Sequence, residues 1–432
     1  MKRCVGALAL GLTLACSSAF ALERPNILVI VVDDLGYDGP SIAPGGPPIQ
    51  TPSIDALAKR GVRVSNGYAV SAVCAPARAG LLTGRYPHRF GFENNQPAGE
   101  RRGVPETETL LSQRLKPLGY QTAAIGKWHI GGLPKLRPIA RGFDYFYGFL
   151  PSTTDYFKPQ NLMRNTTQIS GDGITYLTDT FADEAVGFLR KTNKNKPWFL
   201  YLAFNAVHVP LEAKPQLMAR VSHMPNGKER TYAAMVLGVD DAIGRVMQEV
   251  SRLGQANKTF VWFQSDNGGA LWEGGSNSPL KGGKGNLYEG GIRVPTYISW
   301  PGRIRAGRVM SGPISGLDLV PTALSVANGP KAKELDGVDV LPALRSASVP
   351  VPSRPLFWRL NTTCGSAWTK FLAVRRGQWK LVGKNGVPSV YNLLTDVREA
   401  RAVNNPAVLK SLTAVARTWQ AQMPQPKWCG AD

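Results

Sequence analysis

Apolar runs and amphipathic helical patterns alternate along most of the chain. The first run, Asn26–Val32, is apolar and β-branched without a break, which is typical of a strand buried on both faces of a parallel sheet. Further strands are predicted at 62–64, 121–125, 198–204, 259–264 and 296–300. Helices are predicted at 51–60, from 74 onward, and at 108–118, 180–191, 231–253 and 317–327. The alternation predicts an α/β sandwich with a mostly parallel central sheet.

This pattern changes near residue 350. Pro350 and Pro352 interrupt it, and proline is confined to the edges and ends of strands. Four short strands follow, predicted at 356–360, 370–375, 379–382 and 390–393, before a terminal helix at 406–423. We therefore predict a large α/β domain at 22–350 and a small C-terminal α+β subdomain with an antiparallel sheet at 351–432.

The first 21 residues are typical of an export signal. Lys2 and Arg3 precede an apolar stretch that ends in an Ala-Phe-Ala cleavage site at 19–21. The signal predicts a periplasmic or secreted protein. Lipoprotein processing at Cys16 is the less favoured alternative, because Thr13 stands where that motif has leucine. No later apolar run approaches the roughly 20 residues that cross a bilayer, so we expect no transmembrane segment.

The charge balance is strongly basic. The chain has 51 Lys and Arg against 30 Asp and Glu, and residues 331–432 alone carry 15 basic against 6 acidic side chains. This excess predicts a polyanionic partner, such as nucleic acid, acidic lipid or an acidic polysaccharide. Export and the lack of a nucleic-acid-binding motif exclude nucleic acid. The alternative is a cationic surface that serves solubility only.

Carboxylate and amide residues follow two of the predicted strands. Asp33 and Asp34 come directly after the first strand, and Asp266 and Asn267 follow the strand at 259–264. Ligands of open α/β sheets lie beyond the carboxyl ends of the strands, so we expect these side chains to converge. Oxygen ligands suit Ca²⁺, or alternatively Mg²⁺, better than Zn²⁺. Each segment taken alone is also compatible with a simple turn or helix cap.

The cysteine count requires a chemical explanation. Removal of the signal leaves Cys74, Cys364 and Cys429. An exported protein seldom keeps an odd thiol without a reason. If Cys364 and Cys429 form a disulfide, Cys74 remains as the residue to explain.

The segment that begins at Cys74 resembles a known signature. Residues 74–85, Cys-Ala-Pro-Ala-Arg and then Thr-Gly-Arg after four residues, resemble the signature of the formylglycine-dependent type I sulfatases, an arylsulfatase-like family of the alkaline-phosphatase-like superfamily. Other segments resemble that family's motifs in the expected order, between about residues 24 and 400. They are 32–36 and 265–269 for the metal motifs, 126–131 for the Lys/His loop, 208–210 for the second histidine motif and 283–295 for the distal lysine motif.

The resemblance implies a fold, a modification and a reaction. The fold is an alkaline-phosphatase-like sandwich. Cys74 would be oxidised to Cα-formylglycine by a formylglycine-generating enzyme, which is thus a partner during maturation. The hydrated aldehyde would supply one hydroxyl that attacks sulfur and a second that expels sulfate. The implied function is that of an exported sulfatase.

The resemblance also implies roles for individual residues. The cation would be held by Asp33, Asp34, Cys74, Asp266 and Asn267. The catalytic set would be Cys74, Arg78, Lys127, His129, His208 and Lys284. In it Arg78 approaches the hydrated aldehyde, the two lysines neutralise the sulfuryl group, His129 acts as base and His208 as acid. Ser152 or Thr153 is a weaker candidate for a sulfate contact.

Several features bear on the substrate. The basic C-terminal region and the tryptophans Trp358, Trp368 and Trp379 favour a sulfated carbohydrate over a small aryl sulfate, although core packing also explains such tryptophans. Arg375 and Arg376 are interpreted as a solvated pair that attracts the polyanion. Two alternatives remain open. One is a phosphodiesterase or phosphonate hydrolase on the same fold, and the other is a non-catalytic polyanion-binding protein.

Overall fold

The computed structural model describes residues 24–46, 48–95, 102–360, 371–384 and 386–427. The predicted signal peptide, Cys16, Trp368 and the cysteines Cys364 and Cys429 lie outside these ranges. The predictions about export, lipid attachment and the disulfide therefore stay predictions. Within the described ranges no helix is both long and apolar enough to span a membrane.

A mixed sheet of ten strands forms the centre of the molecule. In chain order its strands are β1 (Asn26–Val32), β2 (Val62–Val64), β4 (Gln121–Lys127), β5 (Tyr145–Phe149), β6 (Leu162–Arg164), β7 (Thr167–Gln168), β8 (Trp198–Phe204), β9 (Thr259–Ser265), β10 (Thr296–Ser299) and β11 (Arg308–Met310). Across the sheet the order is β11-β2-β10-β9-β1-β8-β4-β5-β6-β7. The five strands from β9 to β5 run parallel, whereas β10, β6 and β7 pair antiparallel with their neighbours. The predicted mostly parallel sheet is confirmed.

Helices cover both faces of this sheet. The α-helices are α1 (Pro52–Lys59), α2 (Cys74–Thr83), α3 (Leu111–Leu115), α4 (Leu177–Lys191), α5 (Pro215–Arg220), α6 (Lys228–Arg252), α7 (Glu289–Ile292), α8 (Leu319–Val326), α9 (Leu341–Arg345) and α10 (Pro406–Ala421). Successive side chains of a strand point to opposite faces. Val29 and Val31 of β1 accordingly pack with α2 and α8 on one face, while Ile30 and Val32 pack with α4 and α6 on the other.

A second sheet lies near the C-terminus. It is an antiparallel meander of β13 (Leu356–Leu360), β14 (Phe371–Arg376), β15 (Trp379–Lys384) and β16 (Val387–Asn392). One face of it packs on Tyr68 and Ile292 of the large sandwich, and the other packs on Leu412 and Trp419 of α10. A two-stranded sheet of β3 (Gly67–Tyr68) and β12 (Ile314–Ser315) lies nearby. The predicted antiparallel sheet is confirmed.

Local differences from the predicted elements have local causes. The helix expected at 108–118 is only one turn of α-helix followed by a 3₁₀ turn at Lys116–Leu118. Pro117 has no N–H to continue the ladder, and Gly119 ends the turn with φ +87°. Strands β5, β6, β7 and β11 were not predicted. β6, β7 and β11 have only two or three residues each, too few for a periodic signal, and the five residues of β5 are interrupted by Gly148.

Candidate active site

The central parallel strands bring the predicted polar residues to one edge of the sheet. Neighbouring strands β9, β1, β8 and β4 end there. Asp266 and Asn267 follow β9, Asp33 and Asp34 follow β1, and His208 follows β8. Lys127 is the last residue of β4, and His129 comes two residues later. Cys74 and Arg78 come from α2, and Lys284 comes from the loop before α7. The structure therefore brings all predicted catalytic and metal-binding residues into one region, as the rule for open α/β sheets requires.

The backbone around Asp33 and Asp34 is held from several sides. Asp34 has φ +58°, a left-handed conformation that a non-glycine residue adopts only where its surroundings fix it. Its N–H donates to Asp266 Oδ1 at 3.2 Å. Tyr232 of α6 receives the N–H of Gly36 at 3.1 Å and donates its hydroxyl to the carbonyl of Asp34 at 3.0 Å. These bonds orient the Asp34 carboxylate toward Cys74.

Four side chains form a cluster with the geometry of a cation site. One ligand atom each from Asp33, Asp34, Cys74 and Asp266 lies within 4.8 Å of the others. All four residues are buried. Asp33 Oδ1 and Asn267 Oδ1 have no hydrogen-bond partner, although buried oxygens are normally paired. Two unpaired oxygens among carboxylates are what a hard cation such as Ca²⁺ or Mg²⁺ would bind, so the residues fit the predicted ion.

The electrostatics of the cluster support the same interpretation. Burial and the charge of Asp33 raise the pKa of Asp266 to about 7. Burial also opposes the ionisation of Asp33, but Lys127 and Arg78 outweigh it and hold the pKa of that carboxyl well below its usual range. Because three carboxylates crowd a buried space, a divalent cation would relieve their mutual repulsion.

Cys74 is the first residue of α2 and is fully buried. Its Sγ lies 3.9 Å from Asp34 Oδ1. Burial and the charge of Asp33 raise the pKa of the Cys74 thiol. The side chain at position 74 thus lies at a helix N-terminus, where partial positive charge favours an anionic group.

Arg78 lies one helical turn beyond Cys74 and binds the carboxylates. Its Nε donates to Asp266 Oδ2 at 2.9 Å and its Nη1 donates to the carbonyl of Lys127 at 2.9 Å. Its Nη2 lies 3.6 Å from Asp33 Oδ2. The guanidinium therefore links the ends of β9, β1 and β4 beneath the cluster.

The two lysines pair with different aspartates. Lys127 Nζ donates to Asp33 Oδ2 at 2.5 Å, and Lys284 Nζ donates to Asp34 Oδ2 at 2.8 Å. Burial disfavours the charge on Lys284, but Cys74 and Asp34 outweigh it and raise its pKa. Lys284 thus remains protonated beside the cluster.

The two histidines occupy different depths. His208 Nδ1 must donate to the carbonyl of Val209, 2.9 Å away, because a carbonyl only accepts. The other ring nitrogen, Nε2, lies 3.9 Å from Asp34 Oδ2. His129 is fully buried with φ +59°, and neither of its ring nitrogens has a hydrogen-bond partner. Burial and Lys127 lower the pKa of both histidines.

The site is exposed to solvent near His208 and Lys284. The side chains of Arg78 and Lys127 are 0% exposed, whereas those of His208 and Lys284 are 12% and 11% exposed. Thr153 is exposed on the His208 side, and its hydroxyl donates to the carbonyl of Val209 at 2.6 Å. Its neighbour Ser152 is half-buried.

Some residues that hold the site were not predicted from the sequence. Tyr232 supports Asp34 from the middle of a helix. Asn277 receives the N–H of Gly269 at 2.8 Å and donates to the carbonyls of Gly269 and Gly282 at 3.0 and 3.2 Å. It thereby ties the metal-motif loop to the loop of Lys284. No local pattern marks either residue. Tyr232 acts on a segment 198 positions away, and Asn277 is a single amide in an irregular loop that has no periodic signal.

Two interpretations of the C-terminal sheet need correction. Arg375 is not solvated, because it is 7% exposed, lies 5.0 Å over the ring of Tyr68 and donates to its hydroxyl. Only Arg376 is exposed. Trp358 is buried against Tyr68 at a ring distance of 5.3 Å, so it packs in the core rather than binding sugar. Trp379 is half-buried.

Comparisons with known proteins agree with this geometry. The sulfatase family model matches residues 25–329. The N-acetylgalactosamine-6-sulfatase of Rattus norvegicus is 33% identical over 84% of this chain and 72% of its own length. The human steryl-sulfatase is 30% identical over 77% of this chain and 71% of its own length. A crystal structure titled Ps i-CgsB in complex with k-i-k-neocarrahexaose superposes with a TM-score of 0.89 and 36% identity, over 94% of this chain and 95% of that one.

These similarities define the class of the protein. The chain belongs to the sulfatase family and is a sulfuric ester hydrolase. The sulfatase prediction is confirmed over its phosphodiesterase and non-catalytic alternatives. The relatives' names include both a sugar sulfate and a steryl sulfate, so family membership alone does not determine the substrate.

Proposed function

We propose that this sulfatase is exported and hydrolyses sulfate esters of a carbohydrate, through a formylglycine made from Cys74 and a bound Ca²⁺. One observation carries the proposal. Cys74 begins a helix and places its Sγ within 4.8 Å of carboxylate oxygens of Asp33, Asp34 and Asp266. A side chain at that point touches both the cation site and the helix N-terminus, where an anionic sulfate ester is stabilised.

The chemistry divides between the modified residue, the ion and the chain. The aldehyde hydrate would supply the nucleophilic hydroxyl and a route for sulfate release, and the cation, held by Asp33, Asp34, Asp266 and Asn267, would polarise oxygen. Lys127 and Lys284, which pair with different aspartates, offset the negative charge of the sulfuryl oxygens. Arg78 keeps the carboxylates in place.

The two histidines lie at different depths in the site, and this difference assigns their roles in proton transfer. His208 and Lys284 lie at the opening and share Asp34 Oδ2 as neighbour, at 3.9 and 2.8 Å. The leaving alcohol must depart through this opening, where protonated Lys284 supplies the proton and His208, once protonated at Nε2, delivers it to the alcohol oxygen. His129 lies inside, without a bonding partner at either nitrogen, and serves as base toward the group at position 74.

The substrate class rests on similarity and on charge. The relative named N-acetylgalactosamine-6-sulfatase and the structure titled with neocarrahexaose both concern sugars. The chain also carries 51 basic against 30 acidic residues, which suits a polyanion. These points favour a sulfated oligosaccharide or polysaccharide over a neutral lipid-like sulfate.

Sulfate release tests the proposal. The protein is produced together with a formylglycine-generating enzyme, and peptide mass spectrometry checks position 74. Ion chromatography then measures sulfate freed from neocarrahexaose and from galactosamine 6-sulfate, with a matched phosphate ester as control. We expect formylglycine at position 74, sulfate release from a sulfated sugar, and a loss of at least about 1,000-fold in Cys74→Ala. Unmodified Cys74 in active enzyme, or a faster phosphate reaction, would contradict the proposal.

A further inference from the structure

Two apolar side chains stand in solvent beside the opening of the site. Trp272 is 59% exposed and its neighbour Leu271 is 52% exposed. The other tryptophans in the described ranges are buried or half-buried. Large apolar side chains exposed together commonly mark a contact surface for a ligand.

The loop that carries this pair is fixed to the loop of Lys284. The N–H of Lys284 donates to the carbonyl of Gly269 at 3.1 Å, and Asn277 bonds to both loops. Leu271 lies against Gly283, where an added Cβ would come within 3.0 Å of Leu271 Cγ. Trp272 therefore lies close to the side of the opening that Lys284 forms.

The indole is presented by a rigid turn. The carbonyl of Trp272 receives Lys228 Nζ at 2.9 Å, and Lys228 also pairs with Glu273 at 3.1 Å. Gly274 has φ +80° and packs so tightly on α6 that a Cβ there would lie 2.6 Å from the N of Glu229. The turn is thus anchored to the start of the helix whose Tyr232 supports Asp34. Because the backbone of the turn is anchored, a ligand that covers the ring costs only the freedom of the side chain.

We infer that Trp272, with Leu271, is a saccharide platform that binds the sugar ring next to the one whose sulfate ester is cleaved. A pyranose exposes C–H groups on one face, and an indole of this size complements that face. Lys228 and Lys281 are exposed on neighbouring segments. Lys228 is held by Glu273, and Lys281 donates to the carbonyl of Glu399 at 3.1 Å, so they act through the positive potential that they give to this surface. The charge favours a sulfated oligosaccharide over a sterol. This inference rests on the proposed function, which sets the side from which the sulfate ester enters the site.

Substrate length provides the test. We would compare kcat/KM of wild type, Trp272→Ala and Trp272→Phe on neocarrahexaose, on 4-nitrocatechol sulfate and on a steryl sulfate. Loss of one stacked ring predicts about a tenfold fall for Trp272→Ala on the hexasaccharide relative to nitrocatechol sulfate, mainly through KM. Trp272→Phe should retain most of the activity because it keeps an aromatic face. Leu394→Ala, which removes another side chain that is 78% exposed, is the matched control and should leave the ratio unchanged.

Other results of the same experiment would contradict the saccharide platform. An equal fall of Trp272→Ala on all substrates would show a structural role, and a larger fall on steryl sulfate would show an apolar pocket, so either result overturns the platform. If wild type frees no sulfate from the hexasaccharide, the proposed substrate fails separately. Binding to the inactive Cys74→Ala protein, followed by intrinsic fluorescence, then decides the platform. Saturable binding that weakens when Trp272→Ala is added, and is largely kept when Trp272→Phe is added, supports it, and absence of binding refutes it.

Discussion

Asp266 serves two partners at once. One of its oxygens receives the N–H of Asp34 and the other receives Arg78, while both belong to the carboxylate cluster. Burial and Asp33 already raise the pKa of this carboxyl to about 7. The negative charge of Asp266 is therefore costly in the metal-free protein, and a bound cation would offset that cost.

Replacing Asp266 should remove the ion. Asp266→Asn keeps the shape but loses the charge, so we expect elemental analysis to find less than the wild-type metal content and sulfate release to fall at least about 100-fold. Asp38→Asn is the matched control, because Asp38 is also a buried carboxyl but bonds to Ser276 outside the cluster. Chelation should reproduce the loss, and the ion that restores activity separates Ca²⁺ from Mg²⁺. Full activity in metal-free protein would refute the site.

At the scale of elements, a buried charge cluster joins the small sheet to the active-site loop. Lys380 of β15 is 0% exposed and lies 2.8 Å from Glu289 and 2.9 Å from Glu399. Glu289 also accepts the hydroxyl of Tyr68 at 2.7 Å. Burial opposes ionisation of Glu289, but Lys380 and Arg293 outweigh it and lower its pKa to about 2. The strand β15 is thereby connected to the start of α7, five residues beyond Lys284.

Lys380→Met should destabilise the fold strongly. It leaves two carboxylates buried without their shared cation, which typically costs about 3–5 kcal/mol of unfolding free energy. Arg376→Met removes an exposed charge from the neighbouring strand and should change that free energy by less than about 0.5 kcal/mol. Denaturant titration of both variants measures the difference. Similar stability of the two would show that the cluster is not a tether.

His88 gives the fold a predictable response to acid. Its ring packs against Tyr86 and Trp419. Its Nε2 donates to the carbonyl of Arg359 at 2.9 Å, and Nδ1 has no partner. Burial lowers the pKa of His88 in the folded state. The unfolded chain therefore takes up a proton first as pH falls below about 6.5. Stability is complete above that pH and decreases below it, until the lowered folded pKa is reached.

The change attributable to His88 can be isolated by substitution. Gln at position 88 retains an amide donor for the Arg359 carbonyl but does not titrate. Between pH 7.5 and 5.5 we expect the wild type to lose up to about 1.4 kcal/mol per pH unit more than His88→Gln. Denaturant unfolding at four pH values measures both slopes. Since His129 and His208 are present in both proteins, parallel slopes would contradict the assignment.

For the whole molecule, the basic excess should act on capture of the substrate. Arg375, Arg359 and Lys380 are buried. Fewer C-terminal cations therefore face solvent than the sequence suggested. The exposed remainder is screened within about 8–10 Å at physiological salt. Raising salt should therefore increase KM for a sulfated oligosaccharide more than for nitrocatechol sulfate, with a smaller change in kcat. Equal salt dependence of both substrates would show a solvated surface without a role in capture.

The sequence by itself determined most of the elements and indicated the candidate site residues. Unbroken β-branched runs such as Asn26–Val32 identify buried parallel strands, and the polar residues after them, Asp33 and Asp266, lie where such strands end. These signals lie within single segments, so they are recognised without knowing which segments pair in the fold. Cys74 was recognised for the same reason, from a contiguous motif.

Only the tertiary structure decided which residues meet. The order β9-β1-β8-β4 places His208 and Lys127 beside the aspartates, and strand order depends on pairings between distant segments that no local period encodes. The same limit explains the burial of Arg375 and Lys380, whose charges are compensated by Tyr68, Glu289 and Glu399 from elsewhere in the chain. It also explains Trp272, which looks like any core tryptophan in the sequence and stands in solvent only because its loop is folded back against Gly283 and α6.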